Sequence, residues 1–90
     1  MVAENYALDP AYPNPFNVPF TLPFSLNESM HVTVDLFTLN GRKLMTVVDY
    51  DFGTGNHELM VNTDNLASDL YVVRTVINGH PNLQKVVLLK

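Results

Sequence analysis

The feature that most constrains this chain is an alternation of apolar and polar residues that recurs from residue 20 onward. Two clear runs carry apolar residues at every second position, namely Phe20, Leu22, Phe24 and Leu26, then Met30, Val32, Val34 and Leu36. A period of two sends successive side chains to opposite faces, so each run predicts a strand with one buried face. No segment keeps a helical apolar stripe through three turns. About seven strands at spacings of about 8–12 residues predict an all-β antiparallel sandwich with Greek-key connections.

Proline and glycine set the expected ends of these strands. Four of the six prolines lie within residues 10–19, so this stretch is predicted to be extended, after a possible short strand near Asn5–Leu8. Asn40-Gly41 predicts a type I′ hairpin turn, which needs positive φ at both positions. Asn78-Gly79 marks another turn. Because Pro23 has no N–H to donate, its strand is predicted to be an edge strand or to be bulged there.

The inward positions predict a core and one particular corner. We expect most of the following to be buried: Phe20, Leu22, Phe24, Val32, Val34, Leu36, Leu59, Val61, Leu66, Tyr71 and Val73. Leu66 lies in a turn-rich crossover and Tyr71 begins the next strand. This pair resembles a tyrosine corner, in which the Tyr hydroxyl bonds back to the crossover backbone. An ordinary core tyrosine is the alternative.

Composition excludes several classes of function. The 90 residues allow one domain, and the absence of cysteine excludes a disulfide scaffold, a zinc finger and a thiol nucleophile. A formal net charge of −4 argues against nucleic acid as a partner. The apolar runs are too short to span a membrane, and residues 1–12 show no signal peptide.

The charge is uneven along the chain. All nine acidic residues precede residue 70, whereas Arg74, Lys85 and Lys90 follow it without any acid. Either a basic last strand pairs beside acidic neighbours, or the basic end is an address that a partner reads.

Candidate chemical sites are weak. His31, His57 and His80 fall on different elements, so we expect no catalytic centre, no cofactor and no required metal. Asp49 and Asp51 resemble the start of a calcium loop but fail the EF-hand pattern, which leaves them weak calcium candidates or a solvated acidic loop. An exposed platform of Tyr12, Phe16, Tyr50 and Phe52 would instead suggest an accessory carbohydrate-binding sandwich of a secreted glycoside hydrolase.

Six short motifs in register resemble one known family. They are Tyr12-Pro13-Asn14-Pro15-Phe16-Asn17, Val32-Thr33-Val34 with Leu36-Phe37, Asn40-Gly41-Arg42, Gly55 with His57, Asn65-Leu66-Ala67-Ser68 with Leu70-Tyr71, and Lys85 with Val87-Leu88-Leu89-Lys90. Their order and spacing resemble the type A C-terminal sorting domain of the type IX secretion system, with the hook-capping domain of flagella as a near relative.

The resemblance implies a non-catalytic module with an Ig-like sandwich fold. Residues 1–5 would be a linker and residues 6–90 the sorting and cell-attachment domain of a larger secreted protein. Its partners would be the outer-membrane type IX translocon, a surface peptidase and a covalently linked upstream cargo, at the surface of a Gram-negative bacterium. The residues that the translocon reads would be Pro13, Asn14, Pro15, Gly41, Arg42, Lys85, Leu88, Leu89 and Lys90.

Overall fold

A computed structural model describes residues 6–15 and 19–90, which form two packed β-sheets. The strands are β1 (Tyr6–Leu8), β2 (Phe20–Leu26), β3 (Met30–Thr38), β4 (Lys43–Phe52), β5 (Gly55–Val61), β6 (Asp69–Ile77) and β7 (His80–Leu88). Within these ranges there is no helix, and hence none that could span a membrane. The predicted linker over residues 1–5 and the aromatic residue Phe16 lie outside the described residues.

The connections between the sheets follow a Greek key. One sheet has the order β1-β2-β5, the other has the order β4-β3-β6-β7, and every pairing is antiparallel. The chain leaves β3, passes through β4 and β5, and returns as β6 to lie beside β3. The predicted all-β, Ig-like antiparallel sandwich of seven strands is therefore confirmed.

The core lies between the two inner faces, where the alternation placed it. The buried apolar residues are Ala11, Phe20, Leu22, Phe24, Leu26, Met30, Val32, Val34, Leu36, Val61, Tyr71, Val73, Ile77, Val86 and Leu88. Of the predicted core, only Leu59 and Leu66 are half-buried rather than buried. Leu59 lies on the outermost strand of the smaller sheet, and Leu66 lies in the crossover, so each has packing partners on fewer sides.

The prediction of a type I′ turn at Asn40-Gly41 was wrong. Gly41 has a φ of 92°, but Asn78 is the only residue other than glycine with positive φ in the described part of the chain. The Gly41 N–H donates to the Thr38 carbonyl at 3.0 Å, and the Thr38 N–H donates to the Arg42 carbonyl at 2.8 Å. These bonds close a three-residue connection in which only Gly41 needs the left-handed region.

The type I′ geometry occurs instead between β6 and β7. Asn78 and Gly79 have φ of 52° and 78°, and the flanking residues Ile77 and His80 are paired across the hairpin. Two positive φ values in a two-residue connection define the hairpin turn that matches strand twist.

The edge-strand prediction for Pro23 also needs correction. β2 is the central strand of its sheet, and Pro23 is paired with Glu58 of β5 without a register shift. The Pro23 carbonyl accepts the Asp9 N–H at 3.1 Å, so the side of Pro23 that lacks an N–H faces Asp9, just past the end of β1. The missing donor therefore interrupts no ladder bond with β5.

Candidate functional site

The N-terminal segment of residues 9–14 lies along one side of the sandwich and joins its two sheets. Tyr12 and Thr21 of β2 exchange both backbone hydrogen bonds, at 2.9 and 2.7 Å. On the opposite side, the Ala11 N–H donates to Oε1 of Gln84 on β7 at 2.8 Å. Ala11 itself is buried. The segment thus covers the gap between β2 and the outer edge of β7.

Asn14 pairs with that outer edge through its side-chain amide. Oδ1 accepts the Val87 N–H at 2.9 Å, and Nδ2 donates to the Lys85 carbonyl at 3.0 Å. One amide therefore serves the two outward backbone groups as a neighbouring strand would. Pro13 and Pro15, both preceded by cis peptide bonds, flank Asn14 and fix their own φ angles. The backbone carbonyl of Lys85 and the N–H of Val87 thus find their hydrogen-bond partners in a residue 71 and 73 positions earlier in the sequence.

The structure gathers most of the predicted recognition residues at one end of the larger sheet. Thr38 is paired with Tyr71, and Tyr71 with Val86, so the hairpin that carries Gly41 and Arg42 lies at the end where β7 finishes. Asn14, which lies between Pro13 and Pro15 in the sequence, binds the β7 edge at Lys85 and Val87. No hydrogen bond joins Gly41 or Arg42 to β7 among the residues described.

The last residues of the sequence differ sharply in exposure. Leu88 is fully buried, whereas Leu89 is 55% exposed. The Lys90 N–H donates to Oγ of Ser68 at 2.9 Å, and its Nζ donates to the Asp64 carbonyl at 3.0 Å. Leu88 therefore anchors β7 in the core, while Lys90 folds back over the crossover.

The crossover between β5 and β6 has the geometry of a tyrosine corner. The Tyr71 hydroxyl donates to the Ala67 carbonyl at 2.5 Å, and the Leu66 N–H donates to the Thr63 carbonyl at 3.0 Å. Burial, followed by the charge of Asp69, raises the pKa of Tyr71 above its ordinary value. The hydroxyl therefore remains a protonated donor at neutral pH.

His31 on β3 lies between the two weak calcium candidates on β4. Its Nδ1 is 2.5 Å from Oδ1 of Asp51, and its Nε2 contacts Oδ1 of Asp49. Hydrogen bonds to Asp51 and Asp49 raise the pKa of His31, and the bond from His31 lowers the pKa of Asp49. A calcium ion would have to displace the imidazole, and no group of three potential ligands suited to a metal occurs in residues 6–15 and 19–90.

The predicted aromatic platform is divided between different surfaces. The Tyr12 hydroxyl donates to Glu58 at 3.0 Å on the outward face of the smaller sheet, which raises the pKa of Tyr12. Tyr50 instead makes an edge contact with Phe52 on β4, with ring centroids 5.1 Å apart. The three described aromatics therefore do not form one stacking surface.

Two polar features escaped the sequence prediction. Gln84 lies on the inward face of β7 and accepts a hydrogen bond from the Ala11 N–H. The only feature of the sequence that could have indicated this role is a polar residue at an inward position of the strand. Asp35 is 2% exposed on β3 and accepts a hydrogen bond from Thr46 at 2.7 Å. Arg74 and Lys43 approach the same carboxylate at 3.4 and 3.6 Å. The cluster depends on the cross-strand pairing of Asp35 with Arg74, and therefore on a strand order that the sequence alone does not show.

Comparison with known protein families gives a match that includes both the proline-rich segment and the last strand. The family described as "Secretion system C-terminal sorting domain" matches residues 10–89. The chain belongs to this family. The match runs from the proline-rich segment to the last strand, so it includes Asn14 and the β7 residues that Asn14 binds. Searches of curated proteins and of solved structures gave no match.

Family membership sets the coarse function. The domain is a sorting signal of type IX secretion, a class of domain that is generally non-catalytic. It implies a secreted or cell-surface protein with an upstream cargo.

Removal of the Tyr71 hydroxyl tests the corner. Tyr71→Phe leaves the Ala67 carbonyl without its donor and should lower the free energy of unfolding by about 1–2 kcal/mol. Tyr50→Phe is the control, because Tyr50 is 62% exposed, and should change it by less than about 0.5 kcal/mol. Urea unfolding measures both. Equal midpoints for Tyr71→Phe and the natural protein would show that the hydroxyl adds nothing to stability.

The His31 clamp predicts a pH dependence of stability. The raised His31 pKa stabilises the fold below the ordinary value of 6.5, and this contribution is lost as pH rises through the folded pKa. The lowered Asp49 pKa stabilises the fold above 3.8 and is lost as pH falls through its folded pKa. Between about pH 5.5 and about pH 8, the urea midpoint of His31→Gln should therefore fall less than that of the natural protein.

High salt provides the control for this pH effect. At about 1 M salt the two pH profiles should move closer together, because salt weakens the attraction between exposed charges, although the direct hydrogen bonds of His31 remain. Identical profiles at low salt would show that the contact between His31 and the two aspartates does not contribute to stability.

Proposed function

We propose that this domain directs a covalently linked upstream protein through the outer-membrane type IX translocon and serves in attaching it to the cell surface. A surface peptidase then removes the domain from its cargo, or the domain is retained and attaches the cargo to the cell. The domain acts by being recognised rather than by catalysis, on the outer face of a Gram-negative bacterium. The observation that carries the proposal is the family match over residues 10–89.

The link between Asn14 and β7 supports a folded recognition element. Asn14 binds Val87 and Lys85, which lie 73 and 71 positions later in the sequence. Two motifs from opposite ends of the chain therefore form one surface only when the sandwich is folded. A translocon that reads this surface would distinguish a folded domain from an unfolded chain.

The charge of the last strands supports the same proposal. Lys85 and Lys90 are exposed, and Leu88 between them is buried. Apolar burial therefore fixes β7 in place while the Lys85 ammonium remains available to an anionic partner. The Lys90 ammonium is exposed too, although it donates one hydrogen bond to the Asp64 carbonyl.

A fusion of residues 1–90 to a periplasmic reporter tests the proposal. In a host with type IX secretion the reporter should reach the cell surface, and in a strain without the translocon it should stay in the periplasm. Surface labelling and cell fractionation measure the two pools. A folded fusion that remains periplasmic in the competent host would contradict the proposal.

An Asn14 variant tests the composite surface in the same assay. Asn14→Ala leaves the outward groups of Lys85 and Val87 unpaired, at a stability cost of about 1 kcal/mol, and should reduce delivery. Tyr71→Phe is the matched control, because its expected stability loss is similar but the β7 edge is untouched. Equal delivery of the two variants would show that recognition does not depend on the Asn14 contact.

A further inference from the structure

The outward face of the larger sheet carries an apolar groove near the hairpin between β3 and β4. Register places Val72 beside Phe37 and Lys85, and Arg74 beside Leu83, all on this face. The groove, which we call the Phe37 groove, has a volume of about 330 Å³ and is lined mainly by Phe37, Leu39, Gly41, Val72, Arg74 and Leu83.

Exposure of the groove walls is high for apolar side chains. Leu83 is 68% exposed and Leu39 is 51% exposed, while Phe37 and Val72 form a half-buried floor. A single exposed leucine needs no explanation, but two that border one apolar groove are typical of an interaction site.

The charges around the groove are predominantly positive. Lys43 and Arg74 approach Asp35 on this face, and Lys85 lies beside Val72, whereas Asp49 and Asp51 lie at the far end of β4. Asp35 is already enclosed by its partners, with its side chain 3% exposed. The outward face is thus cationic and apolar at one end and acidic at the other.

Arg74 has hydrogen-bonding capacity that the domain does not use. Its guanidinium lies 5.1 Å from the centroid of the Phe37 ring, and its contact with Asp35 is long, at 3.4 Å. Its Nε is buried and has no hydrogen-bond partner in the described part of the chain. Since 43% of the Arg74 side chain is exposed, a carboxylate entering the groove would meet the exposed end of the guanidinium rather than the buried Nε.

We propose that the Phe37 groove binds an extended protein segment of the secretion machinery that carries an apolar side chain flanked by Asp or Glu. This inference rests on the proposed function and names the surface and the chemistry of its partner. The apolar side chain would lie between Leu83, Leu39 and Phe37, and the carboxylates would meet Arg74, Lys43 and Lys85. An anionic polysaccharide fits less well, because the floor is apolar and offers few donors.

Substitution of Leu83 tests the groove in the reporter fusion. Leu83→Glu places a negative charge in the groove and should reduce surface delivery at least about tenfold. Met60→Glu is the matched control, since Met60 is 71% exposed on the outward face of the smaller sheet, and should be delivered normally. Thermal midpoints of both purified variants should stay near that of the natural domain, because both sites are exposed.

The outcomes separate this inference from the proposed function. If the natural fusion is not delivered, the proposed function fails and the groove inference fails with it. If the natural fusion is delivered and Leu83→Glu matches Met60→Glu, only the groove inference is overturned.

Photo-crosslinking identifies the occupant. A benzoyl-phenylalanine at position 83, in the fusion expressed in the competent host, should link to a component of the secretion machinery, and the same group at position 60 should not. A crosslinked product with twice the mass of the fusion, or one with lipopolysaccharide, would overturn the assignment to a secretion-machinery protein.

A defined peptide tests the chemistry of the partner directly. A fluorescent peptide of alternating Glu and Leu should bind the purified domain more tightly than one of alternating Lys and Leu, and its binding should weaken with salt. Leu83→Glu should reduce that binding at least about tenfold, and Met60→Glu should leave it unchanged. Equal binding of the two peptides would contradict the proposed charge complementarity.

Discussion

The buried core of this domain lies between the inner faces of its two sheets, so neither sheet can bury its inner face without the other. Buried and less buried residues alternate along β2 from Phe20 to Leu26. The same alternation occurs in β6 and in the last residues of β7. Stability therefore depends on holding two sheets face to face, in a domain small enough that its margin is narrow. The crossovers hold one side of the sandwich, and residues 9–14 hold another by bonding to β2 and β7.

That structural requirement has a consequence for function. The segment that closes the sandwich follows β1 and precedes β2, near the end of the domain that leads toward any upstream cargo. It contacts the strand that carries Lys85 and Leu88. Its Asn14 amide covers outward backbone groups of β7 that would otherwise be an open edge for pairing with another chain. The proposed recognition surface therefore forms only when the sandwich closes, and no continuous peptide of the chain contains it.

Much of the fold could be predicted because period-two burial is a local property. The alternation gave the strands, and the prediction of Ig-like topology came from the resemblance to a family. Pro23 and Asn40-Gly41 were predicted incorrectly for reasons that are not local. The short length of β1 leaves room beside Pro23, and Asn40-Gly41 closes a three-residue connection although the same dipeptide at 78–79 forms the two-residue turn.

The candidate site was only partly predictable from the sequence. The motifs containing Asn14, Gly41 and Lys85 were identifiable, but their meeting at one end depends on strand order. Gln84 gave a faint signal as a polar residue in an inward position. The groove could not be predicted, because it requires Leu39 of a hairpin and Leu83 of a distant strand to border the same floor.

Amide hydrogen exchange at Val87 tests the central claim that Asn14 completes the last strand. The Val87 N–H points out of the sheet to Asn14, whereas Val86 is paired with Tyr71 inside the sheet and serves as the internal reference. We predict that both amides are protected in the natural protein, and that Asn14→Ala accelerates exchange at Val87 much more than at Val86. A Val87 amide that exchanges freely in the natural protein, or is unaffected by Asn14→Ala, would contradict the account.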